Sequence, residues 1–361
     1  MKSTIVFFTA FAVIFQVAFC KATRFEDLPS VKSLIQSVLG DNDQKFMTIE
    51  ELWENQKTKF SQMEIEKDTG ISVNERPMIG ILSQPTSSHP PYTTYIQSAY
   101  VKFIEEGGAR VVPIVFNEPD EVTLNKLDKL NGVLLPGGDE VLQNGDGSLT
   151  PYSLKGKLIL DYVKEQNEKS IYYPLYAVCQ GFEQISVIEA PFSTTLVSAA
   201  ADNTPLNIDF YEDPRKTRLY KNMPDKLIAA METQTITMFN NIYRVQVQTY
   251  LENKNLKNYN VIATAKDREG KVMVASIEHE KYPIYAHQFH PEKNQFVWKA
   301  DLPIPHSKNA IDMTRYFAEF VVSESRKNFN KFDTYQEELE NMIENSPVIV
   351  TNGTLQDEYV F

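Results

Sequence analysis

The sequence has almost no cysteine: two residues in 361, Cys20 and Cys179. Two thiols cannot build the disulfide framework of a small secreted domain, a four-thiolate zinc site or an iron–sulfur cluster. Positive charge is short as well, 36 Lys and Arg against 48 Asp and Glu, for a net charge of −12. Such a chain lacks the basic face that a general nucleic-acid binder needs. Histidine is limited to His89, His279, His287, His290 and His306, so any imidazole base comes from a short list. Beyond the N terminus no run approaches the roughly 18 apolar residues of a membrane span. Internal repeats and low-complexity linkers are missing too. Core material is plentiful, at 42% hydrophobic and 11% aromatic residues. The length suffices to bury a full core without disulfide or metal staples.

The N terminus reads as a secretory signal peptide over residues 1–22. Lys2 precedes an apolar run from Ile5 to Phe19, followed by Cys20, Lys21 and Ala22. The run is short for a membrane anchor. Cleavage after Cys20 or Ala22 removes Cys20, and it removes Lys2 and Lys21 but no acid, taking the charge from −12 to about −14. Cys179 is then the one thiol left in an oxidising pathway: inert and buried, paired with another chain, or chemically useful. Residues 23–75 form a charged extension with helical spacing. Within it, Asp41 and Asp43 sit at alternate positions like the start of a calcium loop. That loop lacks its central glycine and has Lys45 where an oxygen ligand belongs, so a helical pro-segment or lid is the better reading.

From Arg76 onward the texture changes. Met78–Leu82 reads as a buried strand, Tyr92–Glu106 as a helix, Arg110–Phe116 as a strand and Thr123–Leu130 as a helix. Gly132–Leu135 is a strand ending at Pro136-Gly137-Gly138-Asp139. A helix over Tyr152–Gln166 and a strand over Tyr173–Val178 follow, and the strand runs into Cys179. Val261–Gln288 reads as shorter strands, some antiparallel, and Ser307–Asn328 as a closing helix. This alternation predicts an α/β three-layer sandwich, a mostly parallel central sheet flanked by helices, with ligands at the carboxyl ends of its strands. Residues 76–361 are expected to form one catalytic domain.

Cys179 stands between apolar strand residues and a helix-like run, with small residues Ala177 and Gly181 at two positions to either side. That is the strand–turn–helix context of a nucleophile elbow, where bulky neighbours would collide. Backbone N–H groups and the helix dipole at such a site favour both thiolate and oxyanion. His290 is the best base. It follows an apolar strand, and Glu292, two residues on, lies on the same side of an extended backbone, where it can fix the imidazole tautomer. His279 has Glu278 and Glu280 beside it, but these face away on a strand. A zinc site from His287 and His290 lacks a clear third ligand.

Pro136–Asp139, the Cys179 elbow and His290-Pro291-Glu292, in that order, resemble the class I glutamine-amidotransferase-like superfamily. Within it they resemble the gamma-glutamyl hydrolase (folylpolyglutamate hydrolase) family. Arg76–Leu82, Ser98–Lys102, Gly108–Pro113, Cys179–Glu183 and Gln288–Lys293 carry the likeness, which runs from about residue 76 to the C terminus. The resemblance implies a cysteine peptidase that cleaves γ-linked glutamate through a thioester, with Cys179 as nucleophile, His290 as general base and acid, and Glu292 orienting it. Gly138 and the backbone N–H of Gln180 would form the oxyanion hole. Gln84, Tyr95, Glu183, Asn240 and Asn241 are the expected substrate-binding residues. The family commonly has a further histidine in the segment that here reads Thr237–Arg244. This chain has none there, and Asn240 or Asn241 would occupy its place. Two other readings stay open: a weakly catalytic γ-glutamyl-binding relative, and an amidotransferase-type glutaminase.

A polyanionic substrate needs local cations, for which Lys216, Arg218 and Arg244 are candidates, and Tyr95, on the first helix, would face the cleft or serve as a plain packing aromatic. No cofactor or metal is called for. The expected partner is a small-molecule poly-γ-glutamyl folate or peptide, with no nucleic acid and no membrane span after leader removal, and a homodimer is left open. The leader implies the secretory pathway, ending in a lysosome or vacuole or outside the cell. Asn352-Gly353-Thr354 is the one glycosylation sequon free of proline.

Overall fold

The computed structural model describes residues 73–191, 193, 195–350 and 357–361. The leader, the extension through residue 72 with its calcium-loop-like segment, and Asn352 lie outside the described residues.

Short apolar runs build the middle of the structure. In the first half these are β1 (Met78–Leu82), β2 (Gln84–Pro85), β3 (Thr94–Gln97), α1 (Ser98–Glu106), β4 (Arg110–Ile114), α2 (Asp120–Leu127), β5 (Gly132–Leu135), α3 (Pro151–Glu168), β6 (Leu175–Val178) and α4 (Gln180–Glu189). The second half contains β7 (Leu196–Leu206), β8 (Asp209–Phe210), α5 (Asp225–Thr233), β9 (Thr237–Val245), α6 (Val247–Glu252), β10 (Tyr259–Lys266), β11 (Val272–His279) and β12 (Ile284–His287). It closes with α7 (Lys293–Phe296), α8 (Lys308–Ser325), α9 (Tyr335–Glu340), β13 (Val348–Ile349) and β14 (Glu358–Val360).

The central sheet has eight strands in the order β4-β1-β5-β6-β12-β11-β10-β8. Its first five strands pair in parallel and the last three are joined antiparallel. Alternation along β1 explains the layering. Ile79 and Ile81 join a core that includes Tyr100 and Phe103 of α1 and Phe317 and Val321 of α8. Met78 and Leu82 join the opposite core, with Ile159 and Leu160 of α3 and Phe182 and Ile185 of α4. A sheet buried on both faces needs strands apolar on both faces, as these are. The three-layer α/β arrangement read from the sequence is the observed one. Helix starts follow local chemistry: the Thr150 side chain caps α3 ahead of Pro151, and Ser307 caps α8.

One helix is shorter than its apolar spacing predicts. Tyr92–Glu106 divides into β3 and α1, and β3 pairs with the C-terminal strand β14 and with β2. Tyr95 therefore lies on a strand, opposite Val360, and not on the first helix. Its partner is more than two hundred residues away, so local periodicity carries no trace of the pairing.

Candidate active site

β6 ends at Val178 and α4 begins at Gln180, so Cys179 alone turns a strand into a helix. It adopts φ 53° and ψ −111°, a region that residues with side chains rarely occupy. Such strain costs roughly 1–3 kcal/mol and persists where neighbours over-determine it. Here the Cys179 N–H donates to the His287 carbonyl (2.7 Å), and the Cys179 carbonyl accepts the Glu183 N–H (3.1 Å). Gly181 is indispensable to the elbow, because a Cβ there would sit 2.2 Å from the Leu135 carbonyl oxygen. Ala177 is buried in β6 between Leu135 and Ala286, so its methyl is accommodated.

His290 and Glu292 follow β12 and are almost wholly buried. Nδ1 of His290 lies 2.7 Å from Oε1 of Glu292. The pair forms by a different local route from the one its spacing suggested. Glu292 has φ −71° and ψ −27°, so Pro291 and Glu292 turn the chain into α7 where an extended strand was expected. The carboxylate accepts the Nδ1 proton, which leaves Nε2 as the free, basic nitrogen. Among the described residues Nε2 has no hydrogen-bond partner. A Cβ on Gly137 would lie 2.8 Å from Cε1 of His290 and 2.9 Å from Cβ of Cys179, so imidazole and thiol converge on one spot.

Gly138 sits against the Gln84 amide, where a Cβ would be only 1.8 Å from Nε2. Gln84 accepts a hydrogen bond from the Tyr95 hydroxyl (3.1 Å) and donates to Gln180 Oε1 (3.3 Å) and Tyr152 Oη (3.4 Å). Gln180 in turn accepts from the Glu140 N–H (3.1 Å) and donates to the Glu140 carbonyl (2.7 Å). Gln84 and Tyr95 thus brace the glycine loop, and the amide of the buried Gln84 is committed to that network.

The asparagine pair separates by strand alternation. Asn241 is buried and its amide donates to Cys179 Sγ at 3.3 Å. Asn240 points the other way and accepts the Asn203 N–H at 3.0 Å. The register between β7 and β9 shifts on both sides of the Ala201–Asn241 pair, irregularities of the kind that re-aim side chains. Glu183, buried one turn into α4, accepts from Gln288 Nε2 at 2.9 Å.

Burial dominates the electrostatics. It pushes the Cys179 thiol up to about 12, aided by Glu183 and Glu292 and opposed by Lys293 and the Gln180 N–H. The helix start favours thiolate, and desolvation opposes it at this buried position. Burial, then Lys293, pushes His290 down, partly offset by Glu292. Burial thus favours the neutral form of both groups. Burial also pushes Glu183 up to about 7, against the hydrogen bonds from Gln288 and Asn241.

The cations named from sequence lie elsewhere. Arg244 donates to the Ser198 and Val272 carbonyls, and Arg218 lines a groove of about 610 Å³ beside Tyr172 and Tyr316. Lys216 is exposed on a turn after β8. The cation acting on Cys179 is the buried Lys293, and sequence reasoning passed over it, as it passed over Tyr100. His287 packs among Tyr220, Phe289 and Phe317 and bonds Ser276 Oγ at 2.8 Å, a core role. His279 accepts backbone N–H groups of Lys281 and Tyr282 in a turn.

The peptidase C26 family model matches residues 77–292, which contain Cys179, His290 and Glu292. Gamma-glutamyl hydrolase B of Dictyostelium discoideum is 35% identical over 297 residues, covering 80% of this chain and 84% of that protein. Gamma-glutamyl hydrolase 2 of Arabidopsis thaliana is 34% identical over 284 residues, covering 76% and 79%. The gamma-glutamyl hydrolase of Homo sapiens is 31% identical over 300 residues, covering 80% and 90%. With the family model matched over most of the described chain and relatives alike along most of their length, the protein belongs to the peptidase C26 family of gamma-glutamyl hydrolases.

Proposed function

We propose that this protein hydrolyses γ-glutamyl amide bonds through a Cys179 thioester, with folylpoly-γ-glutamates as its substrates. The observation that carries the reading is the strained Cys179 packed around Gly137 with an imidazole whose Nδ1 is held by Glu292 and whose Nε2 is free. Nε2 of His290 takes the thiol proton as Sγ attacks the γ-carbonyl carbon. The resulting oxyanion accepts hydrogen bonds from the N–H groups of Gly138 and Gln180. His290 then returns the proton to the leaving nitrogen and the C–N bond breaks, leaving an acyl-enzyme thioester. Water, deprotonated by His290, attacks the thioester carbonyl and releases the γ-carboxylate, and the proton returns to Sγ. A neutral starting pair suits this cycle, since His290 must accept a proton before it can donate one. Glu183 and Asn241, buried near Sγ, would contact the γ-glutamyl group in this reading, which Asn241's bond to Sγ supports.

The leader over residues 1–22 supports a secretory route, with a lysosome, a vacuole or the exterior as destination. Among the described residues no helix is long and apolar enough to cross a membrane. The test is release of glutamate from a synthetic poly-γ-glutamyl pteroate across about pH 4 to 8. Wild type should release it and Cys179→Ser should not. Binding without turnover by wild type would refute hydrolysis, and faster hydrolysis of free glutamine would make the protein a glutaminase.

A further inference from the structure

Tyr100 is fully buried in α1, a helix whose remaining apolar residues simply pack the core. Its hydroxyl does something different. It accepts the N–H of Gly137 at 2.8 Å, and it lies 3.4 Å from Nδ1 of His290, the nitrogen that holds Glu292. One oxygen atom therefore touches both halves of the site: the glycine loop that ends in Gly138, and the imidazole–carboxylate pair. Space at this point is tight, since a Cβ on Gly137 would come within 2.6 Å of that oxygen.

We propose that Tyr100 is a positioning residue that clamps the oxyanion loop to the His290–Glu292 pair, so that the oxyanion donors and the proton-transfer nitrogen keep one fixed separation. This inference rests on the hydrolase reading above. The chemistry calls for such a clamp. Proton transfer at Nε2 and charge development at the carbonyl oxygen occur in one step, and errors of a fraction of an ångström between their partners are costly. The loop carries glycines at 137 and 138, which do not stiffen it by themselves. A hydroxyl that accepts from the loop and abuts the imidazole supplies the missing constraint. Burial, then Glu292, holds the phenol well above its ordinary pKa, so the clamp stays neutral over the working range.

Tyr100→Phe keeps the ring and removes the oxygen. With a γ-glutamyl anilide substrate, kcat should fall about 10- to 100-fold with KM changed less than about threefold, because the loosened donors serve the transition state more than the bound substrate. Alkylation of Cys179 by iodoacetamide involves no oxyanion and should keep its wild-type rate at fixed pH within about threefold, which shows that the fold and the nucleophile survive. The ring-proton titration of His290, followed by NMR, should shift from the wild-type curve. Unchanged kcat together with an unchanged His290 titration would overturn the proposal. So would a kcat loss matched by an equal loss of alkylation and of folded protein, since Tyr100 would then be a packing residue. If wild type itself fails on the anilide, the hydrolase reading fails, and the NMR titration still decides whether Tyr100 acts on His290.

Discussion

The parallel half of the central sheet and the separate two-stranded ribbon of β7 and β9 contribute to the site in different ways. The parallel half, β4-β1-β5-β6-β12, presents Cys179 at the end of β6 and His290 just beyond β12, each fixed by the residues next to it in sequence. Gly181 makes room for the elbow, and Pro291 turns Glu292 back toward His290. The antiparallel ribbon of β7 and β9 contributes Asn241 by another means: two register shifts aim a polar side chain at Sγ, with β7 and β9 running antiparallel some forty residues apart. Chemistry that needs strain is encoded locally in this protein, and chemistry that needs only a hydrogen-bond donor is delivered by pairing register.

If that division holds, removing parts of the parallel half should hurt most. Cys179→Ser should lower kcat by about 10⁴-fold or more, measured as glutamate release per folded enzyme. Glu292→Gln leaves the shape and removes the charge that holds Nδ1–H. A loss of about 10² to 10⁴ in kcat is expected, with the acid limb of the pH–rate profile moved down because the imidazole becomes a weaker base. Asn241→Ala removes one donor to sulfur and should cost about 10- to 100-fold in kcat/KM, well short of the Cys179 change. A ribbon mutation as damaging as the nucleophile mutation would break the comparison.

The smallest effect concerns stability. Glu183 has a folded pKa near 7, raised by burial above its unfolded value of 4.5. Folding therefore favours the protonated acid. This residue costs nothing below about pH 4, and its cost grows as pH rises from about 4.5 toward 7, to the order of 3 kcal/mol. Glu183→Gln should be neutral at pH 4 and raise the melting temperature at pH 8, a pH-dependent gain that thermal melts across that interval would reveal. A gain that does not depend on pH would mean that folding leaves the Glu183 pKa where it is in the unfolded chain.

Much of the site is legible in the linear chain because its parts are short and locally determined. The strand–Cys–helix junction, the small residues around it, the histidine with its acid two residues on, and the apolar strands of the parallel sheet all declare themselves within a few residues. What the chain does not declare depends on distant partners. Asn240 and Asn241 are indistinguishable as letters, and strand register chooses between them. Tyr95 reads as helical until β14, at the far end of the chain, pairs with it. Tyr100 reads as one more core aromatic, and only packing brings its hydroxyl to Gly137 and His290. The state of the thiol belongs to the same class. Sequence context puts Cys179 at a helix start, which favours thiolate, whereas burial in the folded core pushes its pKa up and favours the thiol. Local backbone geometry follows from neighbouring residues, so the sequence by itself determined the nucleophile, its base and the parallel sheet. Desolvation and register sum over contacts that only a folded chain makes, so the tertiary structure decided the protonation of the pair, the donor to sulfur and the clamp on the glycine loop.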